Sequence, residues 1–122
     1  MDKVNLKAIT ADILSKLKAD GLIKKVATDY PSNWDFPILI YRTADKPHAI
    51  DFQKNELQTE WTITIEIYGN NSLTAISNRV IEEFSSIGFR GSSEDANTAD
   101  KKRVVCKLTG IVDNVTKYVY QK

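Results

Sequence analysis

The sequence predicts an α+β domain: one mainly antiparallel β-sheet with two amphipathic helices packed on a single face, in the order α-β-β-β-α-β-β. Three observations predict it. Two segments, Leu6 to Leu17 and Leu73 to Ile87, repeat their apolar residues at spacings of three and four. Between them, Gln58 to Gly69 alternates without a slip, with Trp61, Ile63, Ile65 and Ile67 on one parity and Thr62, Thr64, Glu66 and Tyr68 on the other. A second strongly apolar strand, RVVCKLTGIV from Arg103 to Val112, follows later. Two amphipathic helices need an apolar surface to cover, and the inward faces of the strands supply one. The whole chain, 1–122, is expected to fold as one domain.

The first helix carries Leu6, Ile9, Ile13, Leu14 and Leu17 on one stripe, with Asn5 suited to cap its start and Gly21 to close its end. Leu22 to Thr28 reads as a short strand, and Asp29-Tyr30-Pro31-Ser32-Asn33 as a turn cluster. PILIYR, from Pro37 to Arg42, is the second strand, with Pro37 tolerated at its first residue. Thr43 to Leu57 reads as a long polar connection. The third strand then runs from Gln58 to Gly69. Asn71 or Ser72 is expected to cap the second helix, whose stripe is Leu73, Ile76, Val80, Phe84 and Ile87, with Gly88 closing it. Phe89 to Gly91 is at most a strand stub. Gly91 to Lys102, GSSEDANTADKK, has no large apolar side chain and reads as a solvated loop. Asp113-Asn114 turns the chain from the strand ending at Val112 into a last strand, Val115 to Tyr120.

Charge and composition narrow the function classes. Seventeen basic and sixteen acidic residues give a net charge of +1, without the overall basic footprint of a general nucleic-acid binder, although a local patch stays open. One cysteine, Cys106, allows no intrachain disulfide, which suits a reducing compartment. No apolar run approaches the ~18–20 residues of a membrane span, and the charged N-terminal stretch lacks the core of a secretion signal.

No catalytic, metal or cofactor constellation is expected. His48 is the only histidine and has no second partner for a triad or metal site; it reads as a solvated loop residue. Cys106, mid-strand among Val104, Val105 and Leu108, reads as a small buried hydrophobe. Gly88 to Ser93 lacks phosphate-loop spacing. Glu82 and Glu83 read as a solvated helix face. Arg90 to Arg103 holds four basic and three acidic residues, a net +1, too mixed to predict phosphate binding.

Two features resist a bland reading. Thr43 to Leu57 is long for a connection between strands, where 2–5 residues are usual for a hairpin. It interleaves Asp45, Asp51 and Glu56 with Ile50, Phe52 and Leu57, which makes Asp45, Ile50, Asp51, Phe52 and Leu57 candidates for an assembly interface. The outer face of the long strand carries Thr62, Thr64 and Tyr68, where a covering partner would explain Tyr68 but so would ordinary surface.

The element order also resembles a family. An amphipathic N-terminal helix (LKAITADILSKLKADG) leads to a Pro-bearing strand (FPILIYR), a regular strand ending in Tyr-Gly (EWTITIEIYG), a second helix (SLTAISNRVIEEFSSIGF) and a closing apolar strand (RVVCKLTGIVD). This is similar to the tail terminator proteins of long-tailed phages and prophages, also called tail completion or tail-to-head joining proteins. The resemblance implies a hexameric ring at the head-proximal end of the virion tail, made in the host cytoplasm, which stops polymerisation of the tail tube protein and offers a surface to the head connector. It implies no cofactor and no membrane, and passage of DNA without specific binding; Glu94, Asp95 and Asp100 would then repel phosphates along the hole. The alternatives are another head–tail adaptor or minor virion protein and, less favoured, an enzyme or small-ligand domain or a small nucleic-acid-binding module.

Overall fold

The computed structural model describes residues 4–29, 36–53, 55–70, 72–98, 102–117 and 119–120. Its elements are α1 (Leu6–Ala19), β1 (Lys25–Ala27), β2 (Ile38–Ile50), β3 (Glu56–Gly69), α2 (Thr74–Ser86), β4 (Arg90–Asp95), β5 (Lys102–Asp113) and β6 (Val119–Tyr120). One sheet runs in the order β1-β2-β3-β5-β4. β6 pairs with β5 through Ile111 and Val112, on the edge that β4 occupies from Val104 to Thr109. Every pairing is antiparallel except β1 with β2.

Each helix forms where its apolar stripe demands it and stops where a glycine allows it. The Asn5 side chain accepts the Ala8 N–H at 3.2 Å and caps α1. Gly21 and Gly88 follow α1 and α2 with φ of +82° and +96°, the left-handed region that ends helices. The start of α2 differs from expectation. Its N-cap position is Leu73, with no side-chain cap; the Ser72 hydroxyl accepts the Thr74 N–H at 3.5 Å, and Asn71 lies outside the described residues. Leu6, Leu14 and Leu17 of α1 and Ile76, Val80 and Phe84 of α2 share one core with Trp61, Ile63, Ile65 and Ile67 of β3 and with Val104, Cys106 and Leu108 of β5. Both helices therefore cover one face of the sheet. Each large side chain buried there contributes roughly 1.5–3 kcal/mol. Phe84 and Phe89 meet edge to face across this core, with ring centroids 6.4 Å apart.

Two segments read from sequence as loops are strands. β2 continues from Arg42 to Ile50, so the connection to β3 shrinks to residues 51–55. Beyond Ile40 it has β3 on one side and no strand on the other among the described residues. An edge strand tolerates the Asp45, Lys46 and Pro47 that make the stretch look like a loop. His48 falls where the β2–β3 register shifts between Pro47 and Ala49, so it is an exposed residue of an irregular strand rather than of a loop. Likewise Arg90–Asp95 is a full strand, paired from Arg90 with Thr109 to Asp95 with Val104. All six of its residues are exposed; β5 supplies a ready edge, and pairing there outweighs the poor strand propensity of Gly, Ser and Asp. The last strand contracts to Val119–Tyr120, and the turn cluster from Tyr30 to Asn33 lies outside the described residues.

Candidate assembly surface

The β2–β3 hairpin ends in a turn built by one side chain. Asp51 Oδ1 accepts the N–H groups of Gln53 (2.9 Å) and Asn55 (2.8 Å), Asp51 Oδ2 accepts Asn55 Nδ2–H (3.2 Å), and the Asp51 N–H donates to the Asn55 carbonyl (3.1 Å). These bonds, the Asn55 N–H first, hold the Asp51 carboxyl below its ordinary pKa. Asp51 thus shapes the turn, and the turn presents Phe52, 95% exposed, beside Ile50, 55% exposed. Leu57 is half-buried at the start of β3. Asp45 lies five residues back along β2, ~16 Å away at ~3.3 Å per residue. Of the five interface candidates, Ile50 and Phe52 are brought together as an apolar tip, Asp51 supports them, and Asp45 stands apart.

The base of the hairpin is tied down by a residue that the sequence marks only as a turn. Asn114 is 1% exposed. Its Oδ1 accepts the Val4 N–H at 3.0 Å, and its Nδ2 donates to the Glu56 carbonyl at 3.1 Å and to Thr59 Oγ1 at 2.9 Å. Its own N–H donates to the Leu57 carbonyl at 2.8 Å. One amide side chain therefore joins the N-terminal segment to the start of β3. Next to it, Asp113 Oδ1 accepts the N–H groups of Val115 and Thr116 at 2.8 and 2.9 Å, which lowers its pKa.

A groove opens on the helix side at the same end of the sheet. It has a volume of about 590 Å³ and is walled by Val4, Ile9, Ile87, Val112 and Val119, with Lys117 as the one charged residue along it among the described residues. Lys117 sits at φ +68°. The helices that form the groove are also joined by ion pairs: Arg79 reaches Asp20 of the α1 cap at 3.0 Å and Glu83 at 2.9 Å, and Lys16 reaches Glu83 at 3.5 Å. Arg79, then Lys16, lowers the Glu83 pKa. Glu83 is thus a link between helices rather than a purely solvated residue.

The opposite, helix-free face is charged. Register places Lys25, Arg42, Lys46, Arg90, Arg103 and Lys107 there with Glu60, Glu66, Glu94 and Asp113, six basic and four acidic side chains, a net +2. Glu66, 4% exposed, pairs with Arg42 at 3.7 Å and with Arg103. Arg103 also lies over the Tyr68 ring, 5.7 Å from its centre. Lys46 pairs with Glu60 at 3.4 Å. Tyr68, expected on an open face, is 5% exposed and packs with Ile38 and Ile40.

The two described acidic candidates of the second segment point to opposite faces of β4. Glu94 pairs with Val105 and Asp95 with Val104; successive residues of a strand point to opposite faces, so Glu94 joins the helix-free side and Asp95 the helix side. Asp100 lies outside the described residues.

No family model matches the chain, and no curated protein or solved structure matches it at a significant level. Among the described residues no group of three His, Cys, Asp or Glu side chains is placed to hold a metal ion, and no helix is long and apolar enough to cross a membrane. Cys106 is fully buried, and burial pushes its thiol pKa up to about 11, so its sulfur is protonated at neutral pH.

Proposed function

We propose that this chain is an assembly subunit of a phage-type tail, a terminator that forms a ring on the tail tube, ends its polymerisation and presents a surface to the head. The observation that carries the reading is the hairpin tip: a turn held by four hydrogen bonds around Asp51 presents Phe52 and Ile50 to solvent, away from their own core. Two neighbouring apolar residues exposed on a turn of fixed shape suit a contact that another surface completes. The resemblance in element order supplies the class of partner. Its test is light scattering on the protein alone and mixed with the tail tube protein of the same phage. Association with tube ends, in multiples of the chain mass, is expected; a monomer that ignores the tubes would count against it.

A second reading rests on the helix-free face. Its net +2 and the exposed Arg90 and Lys107 suit a polyanion or an acidic partner. Anisotropy with labelled duplex DNA across a salt series separates the two: affinity that falls steeply with salt favours this reading, and flat weak binding favours the first.

A further inference from the structure

The hairpin tip and the apolar groove are different surfaces of one chain, and each lacks what the other has. Phe52 is 95% exposed, so it touches no wall of its own groove. Its strand cannot bend back to reach that groove: β3 is paired with β5 from Gln58 onward, and Asn114 holds Glu56 and Leu57 beyond that point. The groove, about 590 Å³ and walled by aliphatic side chains, has room for an aromatic ring and a neighbouring isoleucine, since a cavity of ~150 Å³ already holds benzene. Charge agrees as well. The segment from Ile50 to Leu57 carries Asp51 and Glu56 against Lys54, a net −1, and among the described residues the charged one along the groove is Lys117.

We infer that the hairpin tip of one copy of this chain seats Phe52 in the groove between α1, α2 and β5 of a second copy. The inference rests on the reading that the chain self-assembles and names the two patches that meet. Because the patches differ, the contact is heterologous: each copy gives a tip and takes a tip, and repetition closes into a ring when the rotation allows. Seating the ring removes from water the largest apolar side chain left exposed at the tip.

The test is disulfide trapping between two variants of the full chain that both keep Phe52, Gln53→Cys and Ser86→Cys. Gln53 is exposed next to Phe52 on the turn, and Ser86 is exposed on the last turn of α2 and lines the groove, so neither change removes a core side chain. Cys106 is buried and its thiol protonated, so it does not compete. With copper phenanthroline as oxidant, the equimolar mixture should form a covalent dimer at least about tenfold faster than either variant alone, and peptide mass mapping should find position 53 joined to position 86. A third variant, Ser86→Trp, should fill the groove and form smaller assemblies than the parent by light scattering, with its melting temperature unchanged. A tip-to-tip link between two copies of Gln53→Cys, or no link above background with both variants folded, overturns the proposal; in the second case the groove belongs to another occupant, such as the chain's own terminal residues or the tube protein. The outcome is separable from the terminator reading. If the 53–86 link forms and tube growth is not arrested, the contact stands and the terminator reading falls. If growth is arrested and the link is absent, the contact alone falls.

Discussion

Asn114 and Thr10 show how differently two buried polar residues act. Asn114 satisfies the Val4 N–H, the Glu56 carbonyl and the Thr59 hydroxyl at once. Asn114→Ala takes the partner from the Val4 N–H and a donor from the Glu56 carbonyl, while the Thr59 hydroxyl keeps its bond to the Glu56 carboxylate; it should destabilise the fold by about 1–3 kcal/mol, the cost of a buried polar group left without a partner. Urea unfolding checks this, and a midpoint equal to the parent's would show that water replaces the amide. Thr10 is the reverse case. It is fully buried on the core side of α1, and its hydroxyl has no hydrogen-bond partner. Thr10→Val keeps the shape and deletes the unsatisfied oxygen, so it should raise stability by about 1 kcal/mol; a lower urea midpoint would contradict that. Neither role is legible in the sequence, because both depend on what lies within 3 Å from a distant part of the chain.

At the scale of elements, the parts that bury a face were legible and the parts that do not were missed. α1, α2, β3 and β5 each carry a period, 3.6 or 2, imposed by the shared core. The far half of β2 and all of β4 lie at sheet edges, are mostly exposed, and need no apolar period to pair. Their charged, Pro and Gly residues then imitate loops. The tip was partly legible, since Ile50 and Phe52 stand out among polar neighbours. The groove was not, because its walls come from both helices, β5 and β6. The hairpin's role can be isolated from its fold. Replacing residues 51–55 by a two-residue Asn-Gly turn should leave the melting temperature within a few degrees of the parent's, because such turns match strand twist, while assembly is lost. Assembly at parental strength would place the interface elsewhere.

For the whole molecule, acid should weaken the fold in a defined window. Asp51, Glu83 and Asp113 all have folded-state pKa values below their ordinary ones, through backbone N–H groups for the two aspartates and Arg79 for Glu83. The unfolded chain then binds more protons than the folded one, so stability rises with pH in that range. Their contribution is fully present above the unfolded carboxylate values, ~4, and is lost as pH falls through the lower folded values. Melting temperature should therefore hold steady from neutral pH down to ~5 and fall below it, and Asp113→Asn should flatten part of that fall. An acid limb unchanged in Asp113→Asn would remove the Asx turn from the account.

The turn, the tip and the sheet behind it bear on one claim, that this chain ends a tube by docking on it and on copies of itself. The most direct measurement is the length of tail tubes, read by electron microscopy, when tube protein polymerises with and without this chain. The account predicts short tubes of narrow length distribution carrying a cap at one end when the parent chain is present, and long tubes of broad distribution with Phe52→Asp in its place. Tubes of the same length distribution with and without the parent chain would contradict it.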